Sequence, residues 1–184
     1  MRAVILHGTA SNHTGNWFPW LKKELEKLGY KVWVPDLPLA ERPNVDRYTK
    51  FLLGQDWDFN QNLVIGHSAG AVELLDLVEK LPADTMINTA ILVAVFQGDL
   101  GWEALKDLGD LKFNLEKIRK KAKKFIVVHS EDDPYCPVGD AREVAEKLHA
   151  EFVPMDGMKH FSLNTNPKME RFPELLAIIK KQVK

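Results

Sequence analysis

The stretch Asn62-Leu63-Val64-Ile65-Gly66-His67-Ser68-Ala69-Gly70-Ala71-Val72-Glu73-Leu74-Leu75 decides how this chain is read. Its opening, Asn62–Ile65, is a short β-branched run with little polar alternation, the pattern of a strand buried on both faces. Its second half, Ala69–Leu81, has helical periodicity and ends before Pro82. Between them lies Gly66-His67-Ser68-Ala69-Gly70, a serine flanked by small residues. A nucleophilic serine on a sharp strand-to-helix turn needs such neighbours, because the two backbones approach closely there and Oγ then projects above the sheet. The helix beginning at Ala69 also aims its positive end at the place where an oxyanion develops. The three fixed letters recur by chance in roughly 6% of chains of this length, so the flanking strand and helix carry the inference. The bland alternative, a Gly-rich turn that only lets strand and helix pack, lacks phosphate-loop spacing.

Five more runs of the same kind precede and follow it: Ala3–Leu6, Lys31–Val34, Ala90–Val95, Phe125–His129 and Glu151–Met155. Amphipathic segments lie between them. Trp17–Leu28 stops at Gly29, a fitting C-terminal cap, and Val138–His149 follows Pro137. Glu170–Val183 closes the chain, with Lys180, Lys181 and Lys184 suited to its C-terminal dipole. Repeated strand–helix alternation predicts βαβ units, and so a three-layer α/β/α sandwich around a six-stranded, mostly parallel sheet. At 184 residues, with no internal repeat and no Ser/Gly/Pro linker, one domain over 1–184 is expected. Functional groups of such sheets collect outside the carboxyl ends of the strands.

The chemistry is therefore sought after each run. After the fifth comes Glu131-Asp132-Asp133-Pro134, and a carboxylate there can hold an imidazole in the right tautomer. Asp133 is the choice, being at the turn before Pro134, with Asp132 as runner-up and Glu131 as a solvated neighbour; an acidic N-cap region is the structural alternative. Of six histidines, only His160 lies after the sixth run and before the last helix, giving the chain order Ser68, Asp133, His160. His67 belongs to the serine turn itself, and His149 ends a helix. His7 and His129 close strands and read as structural hydrogen-bonders. The expected oxyanion donors are the backbone N–H groups of Ala69 and Thr9, with Ala10 as the alternative to Thr9. Trp17 and Phe161 are assigned to substrate binding from a set that includes Phe18, Trp20, Trp102 and Tyr135, although aromatics are more often core.

Composition excludes several classes. With 25 Lys and Arg against 26 Asp and Glu the formal net charge is −1, so no polyanionic partner is implied. The basic run Lys117–Lys124 reads as a solvated helix face, because no aromatics interleave it as nucleic-acid binding would require. No His or Cys pair has metal-ligand spacing. Cys136 is the only cysteine, so no internal disulfide can form and an oxidising compartment is not implied. No apolar stretch has the length of a membrane span, and the N-terminal run is shorter than a signal-peptide core. A soluble, cytoplasmic protein acting on a small molecule is expected, without nucleic acid, membrane or metal.

Taken in order, His7-Gly8, Trp33-Val34-Pro35-Asp36-Leu37-Pro38, Gly66–Gly70, Asp132-Asp133-Pro134 and Gly157–His160 resemble the α/β-hydrolase superfamily, and more narrowly its small lidless branch of serine hydrolases. The resemblance implies strand order 2-1-3-4-5-6, a Ser68–His160–Asp133 triad and no cofactor. The implied reaction is hydrolysis of small carboxylic esters through an acyl-enzyme. The segment Phe96–Lys124, expected to be mostly helical, leaves little room for a large cap, so a shallow site for short-chain esters is predicted. The alternatives are peptide or amide hydrolysis by the same triad, and an interaction module whose triad is vestigial.

Overall fold

A computed structural model describes residues 1–182; the expectations for Val183 and Lys184 lie outside the described residues. In chain order the elements are β1 (Arg2–Leu6), α1 (Phe18–Lys27), β2 (Lys31–Trp33), α2 (Val45–Leu53), β3 (Leu63–His67), α3 (Ala69–Lys80) and β4 (Ile87–Val93). A 3₁₀ helix (Glu103–Leu108), α4 (Leu115–Arg119), β5 (Ala122–Ser130), α5 (Val138–Leu148), β6 (Glu151–Met155) and α6 (Pro173–Gln182) follow. The sheet runs β2-β1-β3-β4-β5-β6, the order implied by the family resemblance. Every neighbouring pair is parallel, so the mostly parallel sheet expected is entirely so.

Period-two alternation along the strands feeds two cores. Val4, Leu6, Val64 and Leu92 face one side, against Leu52 of α2, Leu74 of α3 and Leu148 of α5. Ala3, Ile5, Ile65 and Ile91 face the other, against Leu21 of α1 and Leu175 of α6. Each fully buried aliphatic side chain stabilises the fold by roughly 1.5–3 kcal/mol through removal from water. The sandwich therefore has α1 and α6 on one face of the sheet and the remaining long helices on the other.

Several boundaries depart from the sequence reading. Helix α2 was not anticipated; Asn44 caps it by accepting from the Arg47 N–H at 3.0 Å, and Gly54 ends it. Strand β5 begins at Ala122, which pairs with Ile87, so the basic run is not one helix face. Lys123 and Lys124 already belong to the strand, and Lys124 pairs with Glu151 across to β6 at 2.6 Å. Helix α6 starts at Pro173 rather than Glu170, since proline is pre-organised for the first helical turn. Between Phe96 and Lys124 only the 3₁₀ helix and the five-residue α4 are helical, less than expected. Among the described residues, no helix is long and apolar enough to cross a membrane.

Candidate active site

The turn after β3 is as tight as its glycines suggest. A Cβ built on Gly66 would lie 2.6 Å from Ala71 Cα, and one on Gly70 would lie 2.5 Å from the His7 carbonyl oxygen. Only hydrogen fits at either position. Ser68 takes φ 55° and ψ −123°, a conformation that L-residues seldom adopt outside strained sites. Its N–H donates to Val93 O at 2.9 Å and its carbonyl accepts from Ala71 N at 2.8 Å, so both neighbouring elements hold the strained residue. The side chain emerges at the carboxyl edge of the sheet.

There Ser68 Oγ lies 3.1 Å from His160 Nε2, and His160 Nδ1 lies 2.9 Å from Asp133 Oδ2. Three groups that are far apart in sequence thus form one continuous hydrogen-bonded chain. Asp133 Oδ1 also accepts from the N–H groups of Tyr135 and Cys136, at 2.8 and 3.1 Å. Burial pushes the Asp133 carboxyl up, but the imidazole and the two N–H donors outweigh it and hold it below the usual carboxylate range. A carboxylate so held stays ionised and fixes the tautomer with Nδ1 protonated and Nε2 free to accept from Ser68.

Asp132, the runner-up, faces away from the imidazole. It accepts from Ser130 Oγ at 2.6 Å and Lys159 N at 3.0 Å, and pairs with Lys159 Nζ at 3.0 Å. These bonds lower its pKa to about 2 and fasten the loop that carries His160. Glu131 forms an ion pair with Arg142 at the surface.

The other histidines brace this arrangement. His67 is buried, and its Nε2–H donates to the His160 carbonyl at 2.9 Å, tying the Ser68 turn to the loop that carries His160. Burial, then the neighbouring His160, push its pKa down to about 3, so it remains neutral. His7 donates from Nδ1 to Gly8 O and accepts at Nε2 from Leu37 N, both at 2.9 Å. His129 donates to Cys136 O at 3.0 Å. Those two are the hydrogen-bonders the sequence suggested. His149, in the left-handed region at the end of α5, meets Arg119 at 2.8 Å instead of serving only the helix dipole.

The backbone N–H groups of Ala69 and Thr9 are both without a hydrogen-bond partner among the described residues. Ala69 N–H is the first of α3 and has no partner inside the helix. On the opposing loop, Ala10 N–H is engaged, donating to Ala40 O at 2.8 Å, whereas the Thr9 N–H makes no hydrogen bond among the described residues. Thr9 lies on the cleft, and Gly8 brings this loop against the turn: a Cβ there would approach Ser68 Cβ to 2.9 Å.

The cleft over Ser68 has a volume of about 450 Å³. Trp17 and Phe161 do not line it, which corrects their assignment to substrate binding. Both are fully buried in the core beneath, where the Trp17 indole N–H donates to Phe161 O at 3.0 Å. The aromatics that reach the cleft are Phe96, Trp102 and Tyr135. Tyr135 packs edge-on against His160, ring centroids 5.0 Å apart, and Trp102 against Tyr135 at 5.3 Å. Their position past strand ends was the only sequence signal for them.

Among the described residues, the one group of metal-ligating types is Asp133, Cys136 and His160, with ligand atoms within 4.8 Å of one another. Two of these already share a proton, and burial followed by the nearby carboxylates pushes the Cys136 thiol up and keeps it protonated. The donor set therefore fits an acid–base pair better than a metal site.

Over 162 residues the chain is 27% identical to the YdeN protein of Bacillus subtilis (strain 168), covering 87% of this chain and 85% of that one. It is 27% identical over 184 residues to the serine hydrolase RBBP9 of Rattus norvegicus, covering 97% and 94%. The crystal structure of B. subtilis YdeN superposes with a TM-score of 0.92 at 23% identity, over 99% of this chain and 98% of that one. A carboxylesterase structure from Nitrososphaera gargenis superposes with a TM-score of 0.78 at 13% identity, over 99% and 90%. The fold is that of the α/β-hydrolases. A family model described as serine hydrolase matches residues 3–181, and the chain belongs to that serine hydrolase family.

Proposed function

We propose that this protein hydrolyses small carboxylic esters, with Ser68 as nucleophile, His160 as general base and Asp133 as the group that orients it. The observation that carries the reading is the unbroken chain Ser68 Oγ–His160–Asp133, at 3.1 and 2.9 Å. His160 Nε2 takes the hydroxyl proton as Oγ attacks the ester carbonyl, and the ionised Asp133 stabilises the imidazolium that forms. The carbonyl oxygen, now negative, is received by the N–H groups of Thr9 and Ala69. His160 then gives its proton to the departing alkoxide. Water, activated by the same imidazole, releases the acid and restores Ser68. No step calls for a cofactor.

The cleft supports the ester reading over a larger substrate. Its volume of about 450 Å³ is toward the small end of ligand sites, which run to roughly 1,000 Å³. The fold neighbour from Nitrososphaera gargenis is itself a carboxylesterase. Hydrolysis of p-nitrophenyl butyrate and p-nitrophenyl dodecanoate tests the proposal. The expected result is faster turnover of butyrate, abolished by Ser68→Ala. Equal or faster turnover of dodecanoate overturns the preference for short chains, and full activity in Ser68→Ala overturns the nucleophile.

A further inference from the structure

The walls of the cleft differ sharply from the rest of the molecule. Charged residues make up 28% of the sequence, yet among the described residues no Asp, Glu, Lys or Arg lines this cleft. The Asp133 carboxylate has a side chain 1% exposed and is committed to His160. An ionic substituent entering here loses water and gains no countercharge.

One wall is built by the loop after β1 together with residues 162–164, joined where Leu163 N donates to Asn16 Oδ1 at 2.9 Å. Asn12 Oδ1 likewise accepts from Thr14 N and Thr14 Oγ1, at 2.9 and 2.7 Å. These bonds fix which way each carboxamide faces: the oxygens are engaged, and the NH2 groups are the free halves. Among the described residues, neither Asn12 Nδ2 nor Asn16 Nδ2 has a protein partner, and both residues are among those that line the cleft. Such a wall presents donors and selects a ligand rich in uncharged oxygen acceptors.

The opposite wall comes from Phe96, Leu105, Trp102 and Tyr135. Trp102 and Tyr135 remain 44% and 38% exposed, an apolar surface left open beside His160. Both sets of residues line the same cleft as Ser68: Gly8 of the first loop packs against Ser68 Cβ, and Tyr135 of the second against His160.

We propose that the cleft takes uncharged esters that join a short apolar acid to a hydroxyl-rich alcohol, such as a glycerol or sugar monoester. The apolar acid lies along Phe96, Trp102 and Tyr135, and the alcohol hydroxyls accept from the Asn12 and Asn16 amides. The scissile bond lies at the seam between the walls. This inference rests on the ester hydrolase reading and narrows its substrate. The reaction is unchanged: the acyl–oxygen bond breaks, the alcohol leaves with the proton from His160, and water supplies the oxygen of the released acid.

The test measures kcat/KM by pH-stat on the full chain for 1-monobutyrin, methyl butyrate, the cation butyrylcholine and the anion methyl hemisuccinate. Each neutral hydrogen bond changes the rate by about fivefold, so monobutyrin is expected to exceed methyl butyrate by roughly tenfold or more. Both charged esters are expected at least about tenfold below methyl butyrate. In Asn12→Ala and in Asn16→Ala the monobutyrin to methyl butyrate ratio falls toward one, and in Trp102→Ala the preference for butyrate over acetate glycerides falls. Fluorophosphonate labelling of each variant reports whether the serine site is intact. Equal rates on monobutyrin and methyl butyrate, or charged esters turned over as well as neutral ones, overturn the substrate class while labelling leaves the hydrolase reading standing. Absence of labelling in the wild-type protein overturns the hydrolase reading itself.

Discussion

Replacing Ser68 by glycine and by alanine separates the strain at this turn from the proposed chemistry of its hydroxyl. Both substitutions remove Oγ and its 3.1 Å contact with His160, so that loss cancels between them. What differs is the Cβ, held at φ 55° and ψ −123°. A non-glycine residue in such a region costs about 1–3 kcal/mol. At an unstrained site glycine is the less stable of the two by about 0.5–1 kcal/mol, because its unfolded chain is freer. The balance leaves Ser68→Gly more stable than Ser68→Ala by up to about 2.5 kcal/mol. For a chain of this size that raises Tm by up to about 10 °C. Urea unfolding of the two variants, followed by tryptophan fluorescence, measures the difference. The sign decides: if Ser68→Ala is the more stable, the turn is not strained and its geometry is not imposed by the surrounding fold.

A related inversion is expected at Gly70. Alanine normally stabilises a helix by about 1 kcal/mol over glycine. Here its Cβ would meet Leu6 O at the end of β1 and lie 2.5 Å from His7 O just beyond it, so Gly70→Ala destabilises by about 1–3 kcal/mol in the same unfolding assay. Asp133→Asn is expected to lower kcat by about four orders of magnitude, by favouring the wrong imidazole tautomer. Because the Asp133 pKa is depressed in the folded state, its contribution to stability is present above about pH 4 and lost as pH falls through its folded value. Acid unfolding is therefore less steep in Asp133→Asn than in the wild type. Glu73 behaves in the opposite sense. It is fully buried on α3, accepts from Thr49 Oγ1 at 2.9 Å, and its Oε2 has no partner among the described residues. Burial raises its pKa well above the usual value, so its contribution is complete below about pH 4 and declines as pH rises toward the folded value. A scan of stability against pH should be flatter over that range in Glu73→Gln than in the wild type.

The parts of this molecule that could be read from sequence are those where one requirement dominates. The sheet was legible because buried parallel strands must be apolar on both faces, and the turn at Ser68 because only glycine fits at positions 66 and 70. The meeting of Asp133, His160 and Ser68 followed from their places past successive strand ends. What was misread depended on competition between neighbours. Trp17 and Phe161 lie in segments next to the site, but a loop residue turns inward or outward according to what packs beneath it. Trp17 turns in, where its indole N–H satisfies the Phe161 carbonyl. Helix α2 is short: its apolar face, Val45, Tyr48 and Leu52, spans only nine residues, and the Asn44 cap marks its start. The cleft walls come from irregular segments with no periodicity to read, and the orientation of Asn12 and Asn16 is set by Thr14 and by Leu163, the latter 147 residues from Asn16 in sequence.

The central claim is that Ser68 is the activated nucleophile of a serine hydrolase. Incubation of the intact protein with a fluorophosphonate, followed by mass spectrometry of its peptides, tests it most directly. A single phosphonyl adduct is expected on Ser68, absent in Ser68→Ala and formed far more slowly in His160→Gln. An adduct on another residue, or none on the folded wild-type protein, contradicts the account.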